Sequence, residues 1–250
     1  MRTWLRRAIG YVGAIAVMLV VWEAASLLLH SPALPTPADA LMQVVEQFPL
    51  LAPHFGYSAL RVVVAMVIGL VVGAPLGLWL GRSKAADLVA GPLIFLNYPV
   101  PKAVFLPVLL VLLGIGNASI IALIALIVFF QILVTARDAA RSIPAASVLS
   151  VRSLGANAWQ VFTNVTVPGA MPEIFTALRI GAGTAVAVLF FSESIAGSTG
   201  LGYFVFDAWG RVRYGEMFAG ILAMALLGVL LYEAIEFAES RLCRWERAGR

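Results

Sequence analysis

The chain reads as an all-α polytopic membrane protein with about six transmembrane helices, and three observations predict this. Of its 250 residues 62% are apolar and 12% are charged, whereas soluble domains run near ~45–50% and ~25%. Six apolar segments approach or exceed the ~20 residues that a helix needs to cross a bilayer. They lie near 9–29, 57–80, 85–100, 103–134, 173–195 and 215–237. The basic residues gather in short clusters beside these segments, which is a topology signal.

The first segment has a long apolar stretch and no small-x-small cleavage site before Pro32, so it reads as a retained helix and not a cleaved signal. The second carries Gly69, Gly73, Gly77 and Gly81, a glycine at every fourth position. Such a stripe lets another backbone approach closely, which drives association in lipid. Pro75 lies within it and predicts a kink. The third segment contains Asp87 and ends in Tyr98-Pro-Val-Pro101. Pro99 and Pro101 forbid a regular helix there, and Pro107 starts or bends the next one. Irregular backbone at membrane depth survives only inside protein or along a water-filled cavity, so this stretch either turns at a surface or lines a path. The fourth segment is too long for one simple span. Gly114 and Gly116 divide it into a short or broken helix and a full one near 117–135.

Charge orients these spans. Thirteen of the 17 basic residues fall on one side: Arg2, Arg6, Arg7, Arg82, Lys84, Arg137, Arg141, Arg152, Arg179, Arg241, Arg244, Arg247 and Arg250. The positive-inside rule then puts both termini and the polar stretch around Arg152 in the cytoplasm, with 31–56 outside, which requires an even number of crossings. The net charge of +4 is accounted for by this placement and does not suggest nucleic acid. The single Cys243 excludes a disulfide framework or a cysteine-based metal site, and His30 and His54 have no ligand-like spacing.

The polar stretch from Val151 to Pro168 is the least expected part of so apolar a chain. Ser153-Leu-Gly155 has the form of a helix end, with Gly155 able to take the left-handed conformation. Asn157 and Gln160 have capping-box spacing. A short helix follows, with Trp159 and Phe162 on one face. Pro168 is expected to stop it, and Pro172 with Glu173 to open the next membrane helix. The product is an exposed two-helix elbow that a soluble partner could grip.

Gly155, nine residues, then Val165-Thr-Val-Pro168 resembles the "EAA" cytoplasmic loop of importer-type ABC permeases. Arg152-Ser-Leu-Gly-Ala156 and Trp159-Gln160 are similar to the flanks of that loop. Pro35-Thr-Pro37, Pro107 with Gly114-Ile-Gly116, and Glu193 with Gly200-Leu-Gly202 resemble motifs of the nitrate/sulfonate/taurine branch, in the same order. The chain departs from the pattern where the family has Glu-Ala-Ala: here stand Leu149, Ser150 and Val151.

The resemblance implies one transmembrane permease domain over 1–250, of the importer-type ABC permease fold, in a bacterial inner membrane. Its coupling loop would cover about 136–172, using Arg152, Leu154, Gly155, Ala156, Trp159, Gln160, Phe162, Val165 and Pro168. It further implies two separate ABC-type ATPase subunits that bind ATP and Mg, a second permease copy, and an extracytoplasmic solute-binding protein. The chain has no G-x-x-x-x-G-K-[ST] phosphate loop of its own, and no cofactor is expected on it. The implied activity is alternating-access import of a small solute such as a sulfonate, taurine or nitrate.

Candidate path residues are Glu193, Ser192, Ser194 and Tyr98. A carboxylate within a span is a functional candidate, but Glu193 lies ~30 Å along the helix from Pro172. Both a path-lining role and structural pairing near the outer boundary stay open. Arg211 and Arg213 read as an outer rim, either solvated or attracting an anion. Glu233, Glu236 and Glu239 with Arg241 and Arg244 read as a solvated exit helix. A self-sufficient secondary carrier or channel is the alternative function; it would need coupling-ion residues deep in the spans or an inverted repeat.

Overall fold

Apolar segments in lipid must satisfy their backbone polar groups internally, and here they do so as helices. The computed structural model describes the backbone of residues 2–245 and side chains from Gly13 onward. The side chains of Arg2, Arg6 and Arg7, and Arg247 and Arg250 altogether, lie outside the described residues. The order is α1 (Arg2–Leu29), α2 (Pro37–Glu46), α3 (Phe48–Arg82), α4 (Lys84–Asn97), α5 (Leu106–Leu113), α6 (Asn117–Ser142), α7 (Ala145–Ser153), α8 (Ala158–Val161), α9 (Val167–Ala196), α10 (Leu201–Gly210) and α11 (Tyr214–Leu242).

Among the described residues α3, α6, the continuous run 158–196 and α11 are long and apolar enough to cross a membrane. A fifth span is possible as a broken pair: α4, then Lys102–Leu113, bent by 86°. The division at Gly114 and Gly116 holds, and the correction is that the short helix before it pairs with 85–100 instead of standing as a separate span. Pro99 and Pro101 turn the chain, so 85–113 forms the two arms of one bent unit, and the full helix starts only at Asn117. Gly114 and Gly116, at φ of 79° and 143°, make the second turn.

The core is the α3–α6 pair. Gly69, Gly73, Gly77 and Gly81 face Val128, Phe129, Leu133 and Arg137 of α6. A Cβ at Gly69 would come within 2.8 Å of Val128 Cγ1, and one at Gly73 within 2.9 Å of Phe129 O. At Gly77 and Gly81 it would collide with the carbonyls of Leu133 and Arg137. Glycines four apart thus meet carbonyls four apart, and the stripe is spent within the subunit. Around it Val62, Ala65, Ile120, Ile124, Val128, Ile132, Ala136 and Ala140 are buried. α9 packs against both α6 and α3, with Ala182, Ala185 and Leu189 in the same core. At the elbow end, Asp87 of α4 is held by Arg137 and Arg141 of α6.

The opposite end is closed by a buried ionic network. Arg61 of α3 donates from Nη1 to Glu193 Oε1 of α9 at 2.6 Å, and both side chains are almost fully buried. Arg61 also donates to Thr199 O (2.6 Å), Thr199 Oγ1 (2.8 Å) and Asn117 Oδ1 (2.8 Å). The Ser58 hydroxyl lies 2.8–2.9 Å from both Glu193 oxygens and accepts from Leu201 N at 2.7 Å. Gly202 N donates to Glu193 Oε2 at 2.9 Å, and Gly200 N to His54 Nδ1 at 2.9 Å. A Cβ at Gly200 would collide with the Glu193 carboxylate, and one at Gly202 would come within 2.8 Å of Glu193 Cβ. Glu193 and the Gly200-Leu-Gly202 turn are therefore one device: the glycines make room for the carboxylate and present it an amide. The pairing reading of Glu193 is what the geometry displays, with helices α3, α6, α9 and α10 tied at one point.

Two smaller expectations are corrected. Glu239 is not a solvated exit charge but pairs with Arg179 of α9. Arg211 and Arg213 form ion pairs with Asp207 (2.8 Å) and Glu216 (3.1 Å) within one helical turn, which reduces the free charge of that rim.

Two outcomes follow for stability in detergent. Gly77→Val forces the α3 and α6 backbones apart and should cost ~1–3 kcal/mol or more, as overpacking does. Gly228→Val, where an added Cβ meets nothing within 4 Å, should leave the thermal midpoint unchanged. Arg61→Met or Glu193→Gln alone leaves a buried group without its partner and should cost ~3–5 kcal/mol. The double variant should recover much of that, and a double as unstable as the sum of the singles would refute the pairing.

Candidate functional site

The elbow is built by three successive local rules. α7 ends in a Schellman motif: Gly155, at φ 86°, donates to Arg152 O at 2.9 Å, and Ala156 N donates to Val151 O at 3.3 Å. No atom lies within 4 Å of a Cβ placed on Gly155, so its backbone conformation and not space demands glycine. Asn157 then caps α8. Its side chain accepts from Gln160 N at 2.9 Å, while Gln160 Oε1 accepts from Asn157 N at 2.9 Å, a complete capping box.

Past α8 the sequence expectation fails. Pro168 does not stop the helix, and Pro172 does not begin one. A π-helical turn over Phe162–Thr166 lets Val167 N donate to Phe162 O and carries the chain onward. Pro168 thereby falls in the first turn of α9, where a missing N–H costs little. Pro172 stands inside α9, and residues 158–196 run as one 39-residue helical unit. The elbow is therefore joined without a break to the helix that bears Glu193.

Its two faces differ. Val148, Val161 and Thr166 are buried against the bundle, and Phe162, Val165 and Pro168 are half-buried. Leu149, Leu154 and Trp159 project outward, 64%, 87% and 70% exposed, beside the exposed Arg152 and Gln160. The Trp159 and Phe162 rings stack at 5.7 Å, so the half-buried phenylalanine props the exposed indole. Leu149 occupies the position of the missing glutamate and makes this an apolar face.

The path candidates do not converge. Ser192 is buried, its hydroxyl donating to Val188 O at 2.7 Å in its own helix. Ser194 is half-buried and lies within hydrogen-bond distance of Phe190 O (2.8 Å) and Gly202 O (3.2 Å). Tyr98 belongs to the α4–α5 break, 57% exposed, beside Lys102. Sequence reasoning missed Arg61, Ser58, Asn117, Thr199 and His54, the partners of the Glu193 turn. The available signal was a pair of opposite charges, Arg61 and Glu193, each alone in an apolar segment. Among the described residues no group of three or more His, Cys, Asp or Glu is placed to hold a metal.

A model of the family described as binding-protein-dependent transport system inner membrane component matches residues 65–242. The taurine transport system permease protein TauC of Escherichia coli is 34% identical, over 94% of this chain and 88% of its own length. The nitrate import permease protein NrtB of Synechocystis sp. is 31% identical over 91% of this chain and 86% of its own. The putative aliphatic sulfonates transport permease protein SsuC of Bacillus subtilis is 27% identical over 93% and 86%. A chain from the inward-facing MetNI methionine ABC transporter superposes with a TM-score of 0.61 at 23% identity, covering 80% of this chain and 97% of that one. The helical order, the elbow and these likenesses agree: the chain belongs to the binding-protein-dependent transport system inner membrane component family and is a multi-pass permease subunit of an ABC importer.

Proposed function

We propose that the chain acts as one of two identical permease copies that import a small sulfonate, taurine or nitrate through the inner membrane. In this reading both termini and the elbow face the cytoplasm, and an extracytoplasmic solute-binding protein delivers the solute to the other side. The chain carries no nucleotide site; ATP and Mg are bound by two ABC-type ATPase subunits. The elbow docks in a groove on each ATPase, with Leu149, Leu154 and Trp159 as apolar anchors and Arg152 and Gln160 at the rim.

The single observation that carries this is the outward apolar face on a rigidly capped elbow. Aromatic and aliphatic anchors of this kind dominate interface energies. The apolar Leu149 suits a groove that needs no cation for the absent glutamate. The mechanism follows from continuity. Residues 158–196 form one helical unit, ~58 Å long at 1.5 Å per residue. A displacement at Trp159 is therefore delivered to Glu193, where the ionic network ties α9 to α3, α6 and α10. Closure of the two ATPases would rock these bundles as bodies around the path between permease copies. The substrate class rests on TauC, NrtB and SsuC, each matched over 86–88% of its own length.

Two measurements test the docking. Trp159→Ala should leave membrane insertion intact and weaken co-purification of the ATPase by at least about tenfold, as for a hot-spot anchor. Gly155→Val places a β-branched residue at positive φ; it should abolish ATP-dependent uptake in proteoliposomes while the permease still dimerises. Purification of the native chain with no associated ATPase, even after crosslinking, would overturn the reading.

A further inference from the structure

Two cations stand well inside apolar segments of this subunit, and the fold treats them in opposite ways. Arg61 is neutralised by Glu193 and uses its donors on fixed partners. Lys102 has no carboxylate partner among the described residues. It sits where α4 ends, and its Nζ donates to the carbonyls of Asn97 and of Tyr98, the latter at 2.8 Å. The same Nζ lies 4.9 Å over the centre of the Phe130 ring. Phe130 is at the midpoint of the 26-residue α6, ~18–20 Å from either end. α6 turns polar at Arg137, ~10 Å beyond Phe130, so the lysine lies against the apolar part of that helix, half-buried, in a stretch whose backbone is broken by two prolines.

Broken backbone at membrane depth is tolerated only against protein or a solute path. Charged residues inside spans pair with one another or with backbone carbonyls, as Lys102 does, and mark such paths. Beside Lys102 is a 220 Å³ cavity lined by Asn97, Phe105, Leu109, Leu126 and Phe130. It offers one cation, an amide and an otherwise apolar wall. An ammonium group has three N–H donors, and two carbonyls and a ring face leave capacity for an anionic oxygen. The lysine also caps the carbonyl end of α4, a role that a neutral donor could fill; a cap alone does not call for a full charge beside the apolar part of α6.

We propose that Lys102, held in the α4–α5 break with Asn97 and Tyr98, is an anion-binding element of the translocation path. It takes the sulfonate, carboxylate or nitrate oxygens of a small solute, while the short apolar body of that solute rests on Phe130 and Leu109. This deepens the functional reading above, on which the term "path" rests. Attraction to one sign of charge in a site of low dielectric also explains how such a path excludes cations.

The test uses the assembled transporter in proteoliposomes, with Cys243→Ser to remove the chain's single cysteine and Asn97→Cys as a reporter. Two thiol reagents of similar size are compared: 2-sulfonatoethyl methanethiosulfonate, an anion, and its trimethylammonioethyl counterpart, a cation. Relative to a free thiol in solution, the anion should react about tenfold faster with Lys102 in place, the scale expected for one nearby charge. Lys102→Met should abolish that preference and Lys102→Arg should keep it. A reporter that neither reagent reaches, or an anion preference unchanged in Lys102→Met, would overturn the proposal, since a purely structural cap predicts one or the other. Uptake of labelled taurine, methanesulfonate and nitrate is read in parallel vesicles whose permease keeps Asn97. A lysine-dependent preference without uptake of any probe supports the anion site and refutes the substrate assignment instead.

Discussion

The close approach of α3 to α6 is the constraint on which the rest of this structure depends. In lipid no hydrophobic force pulls helices together, so their association rests on packing and on polar contacts. Four glycines at four-residue spacing bring the α3 backbone against the carbonyls of Phe129, Leu133 and Arg137. The remaining elements hang on that pair. α9 packs against both α6 and α3, α4 is tethered to α6 through Asp87, Arg137 and Arg141, and Arg61 projects from α3 toward Glu193.

The two ends of the pair are built from different chemistry, and the difference suits a machine driven from one side. At the elbow end, Asn157 and Gln160 serve local backbone needs, Asp87 ties α4 to α6, and Leu149, Leu154 and Trp159 make the exposed face largely apolar. At the other end, one arginine and one glutamate gather amides, hydroxyls and a carbonyl from four elements into a buried knot. A buried ion pair is costly to desolvate and strongly directional. It adds less to stability than to geometry, by specifying where α10 and the 197–200 turn sit relative to α3. Between these ends α9 passes without interruption. Lys102 stands apart from both, in the break of the bent pair formed by α4 and 102–113.

Much of this was legible in the amino-acid order. The helical class, the apolar segments, the glycine stripe, the Gly155 turn and the Asn157–Gln160 box each depend on residues close in sequence or on regular spacing, so local rules suffice. Those rules misled where a local signal had a tertiary solution. Pro168 and Pro172 are helix breakers by propensity, yet a π turn and a first-turn position absorb the first, and the second sits within α9. The break at Gly114 and Gly116 was legible, but the pairing of 85–100 with 102–113 as one bent unit was not, because apolar composition is blind to an 86° bend.

By itself, the sequence determined that the chain is helical, that it lives in a bilayer and that it presents a capped polar elbow, because periodicity, composition and capping are properties of neighbouring residues. Only the tertiary structure decided that Glu193 belongs to Arg61 and to the Gly200-Leu-Gly202 turn, and that Lys102 has no carboxylate partner among the described residues. The contacts of Ser58 and Arg61 with Glu193 and Thr199 join residues more than a hundred positions apart, and no spacing rule reaches across the helix packing that brings them together.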